Sequence, residues 1–127
     1  MSETQQHGVL VAEDEDEIRA LVSSIFTLEN FKVFQAVDGQ SALETFTKHS
    51  AEIALVITDL GLPGLGGLEL IEHVRRLKPS VRIISISGFG HYEVREKILK
   101  AGGDEFIAKP FVIDELIGLA RQLLRKP

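Results

Sequence analysis

Five consecutive apolar residues, Ile53-Ala54-Leu55-Val56-Ile57, lead through Thr58 to a single carboxylate, Asp59, and then into the turn-rich stretch Leu60-Gly61-Leu62-Pro63-Gly64. An unbroken apolar run bounded by turn residues reads as a strand buried on both faces, the pattern of a parallel sheet. Parallel strands need crossover connections, usually helices, so this run predicts an α/β chain. Asp59 falls at the carboxyl end of the strand. In open α/β sheets ligands bind beyond the carboxyl ends of the strands, so an ionisable residue there points to chemistry.

The rest of the chain supplies the alternation that such a sheet requires. Residues 8–12 form a short apolar run followed at once by Glu13-Asp14-Glu15-Asp16-Glu17. Ile18, Leu21, Val22, Ile25 and Phe26 then recur at helical spacing, and the acidic first turn suits the positive end of the helix dipole. This helix is expected to end near Glu29-Asn30. Residues 31–36 read as a second strand, which Lys32 and Gln35 mark as an edge. A second helix over 41–49 carries Ala42, Leu43 and Phe46, and a third carries Leu68, Ile71, Val74 and Leu77 before Pro79. Residues 81–86 form a fourth strand ending in Ser85-Ile86-Ser87-Gly88. The helix over 91–101 rests mainly on Val94 and Ile98, which predicts light anchoring. Phe106 and Ile107 make a short fifth strand closed by Lys109-Pro110. The last helix, 112–125, places Ile113, Leu116, Ile117, Ala120, Leu123 and Leu124 toward the core. Val112 and Leu119 widen its apolar arc, whose margin is expected to touch a partner.

Five strands alternating with five helices predict a flavodoxin-like (βα)5 doubly wound fold, with a five-stranded parallel sheet in the order 2-1-3-4-5 and helices on both faces. The length of 127 residues, with 44% hydrophobic and 26% charged, fits one domain, expected over 8–127 after a flexible tail at 1–7. Fourteen basic against nineteen acidic residues give a net charge of -5, which argues against broad attraction to nucleic acid or anionic lipid. The absence of cysteine excludes disulfides and thiolate metal sites, and His7, His49, His73 and His91 lack ligand spacing. With no apolar h-region and no membrane-length apolar run, the chain reads as cytoplasmic.

In the order 2-1-3-4-5 strands one and three are neighbours, which brings Glu13 and Asp14 against Asp59. Three carboxylates so close repel one another unless a cation sits among them. All-oxygen ligation suits Mg²⁺, with Mn²⁺ also possible. Lys109 can offer an ammonium to a phosphoryl group, Ser87 a hydroxyl, and Asp59 is placed to attack phosphorus. Acids at 13–17 also serve a helix start, so function is assigned to Glu13 and Asp14 only, leaving Glu15, Asp16 and Glu17 as surface.

Glu13-Asp14, Arg19, Asp59-Leu60-Gly61-Leu62-Pro63-Gly64-Leu65-Gly66-Gly67, Ser87-Gly88, Phe106 and Lys109-Pro110-Phe111 together resemble the CheY-like receiver domain of two-component response regulators. The match runs from about Val9 to Leu124, in the family's order and spacing. The resemblance implies that Asp59 is the phospho-acceptor, that Asp14 and Asp59 bind Mg²⁺ directly, that Glu13 helps, and that the Gly61 carbonyl completes the protein ligands. It implies a switch hydroxyl at Ser87, a switch aromatic at Phe106, a phosphate-binding lysine at Lys109 and a cis Lys109-Pro110 bond. Arg19 fits the pattern and is read as a surface ion pair.

The resemblance further implies a phosphoryl donor, either a sensor histidine kinase or a histidine phosphotransfer domain, and no enzymatic activity beyond the chain's own phosphorylation and dephosphorylation. Signalling is expected through helix 4, strand 5 and helix 5. The expected target is a separate downstream protein, since no output domain follows Pro127, unless the chain is a receiver excised from a larger kinase or regulator; no direct nucleic-acid or membrane partner is expected. Gly61 and Phe89 occupy the positions that place the hydrolytic water; neither can orient one, so slow autodephosphorylation is expected. Three rivals weigh less. A phosphorylation-independent binding module is disfavoured because acceptor, acids, hydroxyl and lysine are all present. An aspartate-nucleophile phosphatase would need a second Asp where Gly61 stands. A flavodoxin-like cofactor binder would meet acid where a flavin phosphate should sit.

Overall fold

A computed structural model describes residues 6–88 and 92–126 of the chain. Strands β1 (Gly8–Ala12), β2 (Lys32–Ala36), β3 (Ile53–Asp59), β4 (Arg82–Ser87) and β5 (Glu105–Ala108) alternate with helices α1 (Asp16–Leu28), α2 (Gly39–His49), α3 (Gly67–Leu77), α4 (Tyr92–Ala101) and α5 (Ile113–Arg125). All pairings are parallel and the order is β2-β1-β3-β4-β5, as expected for the flavodoxin-like doubly wound fold, with β2 at one edge.

Successive side chains of a strand point to opposite faces, so each central strand feeds two cores. On one face Leu10, Val56 and Ile83 pack with Ala42 and Phe46 of α2, Leu70, Ile71 and Val74 of α3, and Ile98 of α4. On the other, Val9, Val11, Leu55, Ile57, Ile84 and Ile86 meet Val22 and Phe26 of α1 and Leu116, Ala120 and Leu123 of α5. β3 lies between β1 and β4 with helices on both faces, which is why its run is apolar throughout.

Several local expectations are corrected. Leu21 and Leu77, read as inward-facing, are 49% and 53% exposed, and Leu70, which was not on the expected face of α3, is fully buried. Periodicity identifies residues that share a face, but the width of the facing sheet decides which are covered. Val112 is the N-cap of α5 and is 63% exposed. α2 starts at Gly39, earlier than expected, because the Asp38 carboxylate accepts the Ser41 N–H at 2.7 Å and caps the helix. Residues 1–5 of the expected tail lie outside the described residues, and the His7 carbonyl accepts the Lys32 N–H at 2.9 Å. α1 ends as expected, with Asn30 in the left-handed region at φ 70°.

Candidate functional site

Backbone pairing at the carboxyl edge of the sheet sets the site. Asp59 is the last residue of β3 and is only 9% exposed. Beside it, Glu13 follows β1 and is held by its N–H to the Ala36 carbonyl at 3.0 Å. Lys109 follows β5, with its N–H on the Ser87 carbonyl at 2.8 Å. Gly67, the first residue of α3, lies so close behind Asp59 that a Cβ there would meet the Asp59 carbonyl oxygen at 2.5 Å. Its own N–H donates to the Leu60 carbonyl at 3.2 Å, so the start of α3 is packed onto the backbone that carries Asp59.

The three predicted acids converge: Glu13, Asp14 and Asp59 each offer a carboxylate oxygen, all within 4.8 Å of one another. The Lys109 Nζ sits among acids, 2.7 Å from Asp59 Oδ2, 3.0 Å from Glu15 Oε1 and 3.2 Å from Glu13 Oε1. Burial pushes the Glu13 carboxyl up to about 7, with the Asp59 charge adding to the rise against the opposing pull of the Glu15 N–H and Lys109. Burial alone would lower the Lys109 ammonium, but hydrogen bonds to Asp59 and Glu15 outweigh it and hold it above its ordinary range. One ammonium therefore faces more carboxylates than it neutralises. The donors are all oxygen, with Asp14 exposed and Asp59 at the rim, so the cluster fits a hard divalent cation such as Mg²⁺.

The other predicted residues fall around this centre. Ser87 ends β4 and is 1% exposed. Phe106 lies beside Ser85 and Ala108 beside Ser87, so Phe106 stands one step back along β5 on the face that Ser87 shares, half-buried against the α3 and α4 core. The Gly61 N–H donates to Asp59 Oδ1 at 2.9 Å, and the Lys109-Pro110 bond is cis. Phe89 lies outside the described residues. Arg19 is more than a surface ion pair. It meets Asp16 Oδ1 at 2.7 Å and also donates to the Glu13 carbonyl at 2.9 Å, which braces the loop bearing the acids.

Glu15 was assigned to the surface, and its side chain is indeed 60% exposed, yet it shares the Lys109 ammonium. The helix dipole already accounts for acids in a first turn, so nothing local in the sequence separates Glu15 from Asp16 and Glu17. Beside the site, Ile18, Leu21, Pro110 and Phe111 line an apolar cavity of about 400 Å³ that Glu15 and Lys109 border.

The family model described as "Response regulator receiver domain" matches residues 9–121. The sporulation initiation phosphotransferase F of Bacillus subtilis is 29% identical over 91% of this chain and 92% of its own length. The response regulator RppA of Synechocystis is 33% identical over 93% of this chain and 50% of its own length, and NtrX of Azorhizobium caulinodans is 35% identical over 93% and 26%. The chain thus spans half or less of these two relatives. Among solved structures, the receiver domain of NtrX from Brucella abortus superposes with TM-score 0.85 at 34% identity, covering 94% of this chain and 99% of that one. The CheY of Borrelia burgdorferi, solved in a complex of CheX, CheY, BeF3 and Mg²⁺, gives TM-score 0.89 at 25% identity, covering 94% and 90%.

Proposed function

This chain belongs to the response regulator receiver domain family, and we propose that it works there as a phosphorylation-dependent switch with Asp59 as the acceptor. The observation that carries the proposal is the convergence on Asp59 of two further acids and the Lys109 ammonium.

An Asp59 carboxylate oxygen attacks the phosphorus of a phosphohistidine or an acyl phosphate. The new O–P bond forms as the donor's P–N or P–O bond breaks, and the leaving group departs with the bonding pair. The Asp59 carboxylate loses its charge to the phosphoryl group, so the Lys109 ammonium passes from Asp59 Oδ2 to a phosphoryl oxygen, with Glu13 and Glu15 as its remaining carboxylate neighbours. Ser87 donates its hydroxyl to another phosphoryl oxygen, and Phe106 turns toward the space that hydroxyl leaves. Glu13, Asp14, Asp59 and the Gly61 carbonyl would hold Mg²⁺, which when bound draws charge from the phosphoryl oxygens.

The donor is a sensor histidine kinase or a histidine phosphotransfer domain, and the phosphorylated form signals through α4, β5 and α5. The matching relative named a phosphotransferase, covered over nearly its whole length, supports a place in a phosphorelay. Slow autodephosphorylation is part of the proposal. A Cβ at Gly61 would lie 3.7 Å from Asp59 Oδ1, so position 61 borders the acceptor and brings no side chain to orient water. The test is intact mass after incubation with Mg²⁺ and acetyl phosphate. Wild type gains one phosphoryl group only when Mg²⁺ is present, and Asp59→Asn gains none; an equal adduct on both proteins would overturn the assignment.

A further inference from the structure

A second hub lies away from the acid site, where the last turn of α3 meets the connection between α4 and β5. The Arg75 guanidinium donates four hydrogen bonds: Nε to the Gly102 carbonyl at 2.9 Å, one terminal nitrogen to the Pro79 and Val81 carbonyls at 2.7 and 2.6 Å, and the other to Asp104 Oδ2 at 2.9 Å. The same Asp104 oxygen accepts the Ile83 N–H of β4 at 2.8 Å, and the Asp104 N–H returns to the Ile83 carbonyl at 2.9 Å. One side chain, 23% exposed and paired with a carboxylate equally covered, therefore joins α3, the turn into β4, β4 itself and the end of α4. Charge-assisted bonds of this kind are the stronger ones, and only the planar guanidinium fork can serve acceptors in several directions at once.

The end of α4 is shaped to fit this hub. Gly102 closes the helix at φ 110°, and a Cβ there would meet Arg75 Cγ at 2.9 Å. The Gly102 and Gly103 N–H groups cap α4 on the Ile98 carbonyl at 3.2 and 2.9 Å, and a Cβ on Gly103 would lie 2.5 Å from Ile98 Cγ2. Ile98 is itself fully buried, whereas Val94, one turn earlier, is only half-buried. The carboxyl-terminal end of α4 is thus packed, capped and hydrogen-bonded, and among the described side chains of the helix Val94 is less covered than Ile98.

We propose that Arg75 and Asp104 form a pivot that fixes the carboxyl-terminal end of α4 to α3 and β4, so that the switch swings the amino-terminal end of α4 instead of displacing the whole helix. This rests on the switch reading above and says how its motion is confined. Arg75 is a positioning residue: it acts through Gly102 and Asp104, and it does not touch the phosphoryl site.

The test is site-resolved amide hydrogen exchange on the full chain, comparing wild type with Arg75→Lys, and with Asp104→Asn should the first variant fail to fold. Without phosphoryl donor, the variant exchanges about tenfold faster at Gly102, Gly103 and Asp104, the scale expected for losing a charge-assisted bond, while Leu116 and Ala120 of α5 keep wild-type rates. Wild-type rates at all three amides of the variant would overturn the pivot. With Mg²⁺ and acetyl phosphate, wild type changes its exchange at 94–97 and not at 102–104, whereas Arg75→Lys changes along the whole of α4. Equal changes at both ends of wild-type α4 would also overturn it. Absence of a phosphoryl adduct on wild type would defeat the switch reading and the swing built on it, and the donor-free comparison decides the anchor separately.

Discussion

β3 and α4 sit two elements apart in the chain and differ in almost every respect that governs mobility. β3 is paired on both edges and covered on both faces, and of its residues only Ala54 escapes full burial. α4 packs one face against its neighbours, and from Val94 to Ala101 only Ile98 is fully buried. The contrast matches two different demands. On the switch proposal, phosphoryl transfer needs an acceptor held in one geometry relative to its lysine and acids, and a strand paired on both edges and covered on both faces delivers Asp59. On the same proposal, a surface readout needs an element that shifts at small cost in free energy, and α4, with one fully buried side chain between Val94 and Ala101, is suited to it.

The contrast can be broken by mutation. Ile57→Ala, which hollows the core behind Asp59, is expected to cost about 3 kcal/mol in denaturant unfolding. Val94→Ala, on half-buried α4, is expected to cost about 1 kcal/mol and to leave the rate of adduct formation from acetyl phosphate near wild type. Equal losses from the two changes would show that α4 is as firmly anchored as β3.

A smaller effect concerns Glu13, which ionises at about 7 in the folded chain against an ordinary value of 4.5. Between those values the folded state binds more protons than the unfolded one, so this group's contribution to stability falls as pH rises through the window. Metal-free wild type should therefore lose stability relative to Glu13→Gln from about pH 5 to about pH 8. Thermal unfolding of both proteins across that range checks the sign, and parallel profiles would mean that Glu13 is not held protonated by burial. Added Mg²⁺ at the upper pH should restore wild type more than the variant, because the cation offsets the buried carboxylate.

How legible these features were in the sequence follows from the distance over which each is determined. The run from Ile53 to Asp59 could be read locally, because burial on both faces demands an unbroken apolar strand. The meeting of Glu13, Asp14 and Asp59 needed only the strand order in addition, and the order followed from the alternation of elements. Glu15 was not legible. Its partner Lys109 is 94 residues away, and a helix dipole explains the acid without that partner. Arg75 was hidden for the same reason, since a basic residue in the last turn of a helix has an ordinary local explanation, while its acceptors at Gly102 and Asp104 lie in a later connection. The exposure of Leu21 and Leu77 marks another limit: spacing gives a face, but the neighbouring element decides how much of it is covered.

The most direct test of the central claim locates the phosphoryl group on the chain. After incubation with Mg²⁺ and acetyl phosphate, borohydride reduction converts an aspartyl phosphate to homoserine, which peptide mass mapping can place. Homoserine at position 59 and at no other carboxylate is the predicted result. Homoserine at position 14, or a reduced chain with every aspartate intact, would contradict the assignment of Asp59 as the acceptor.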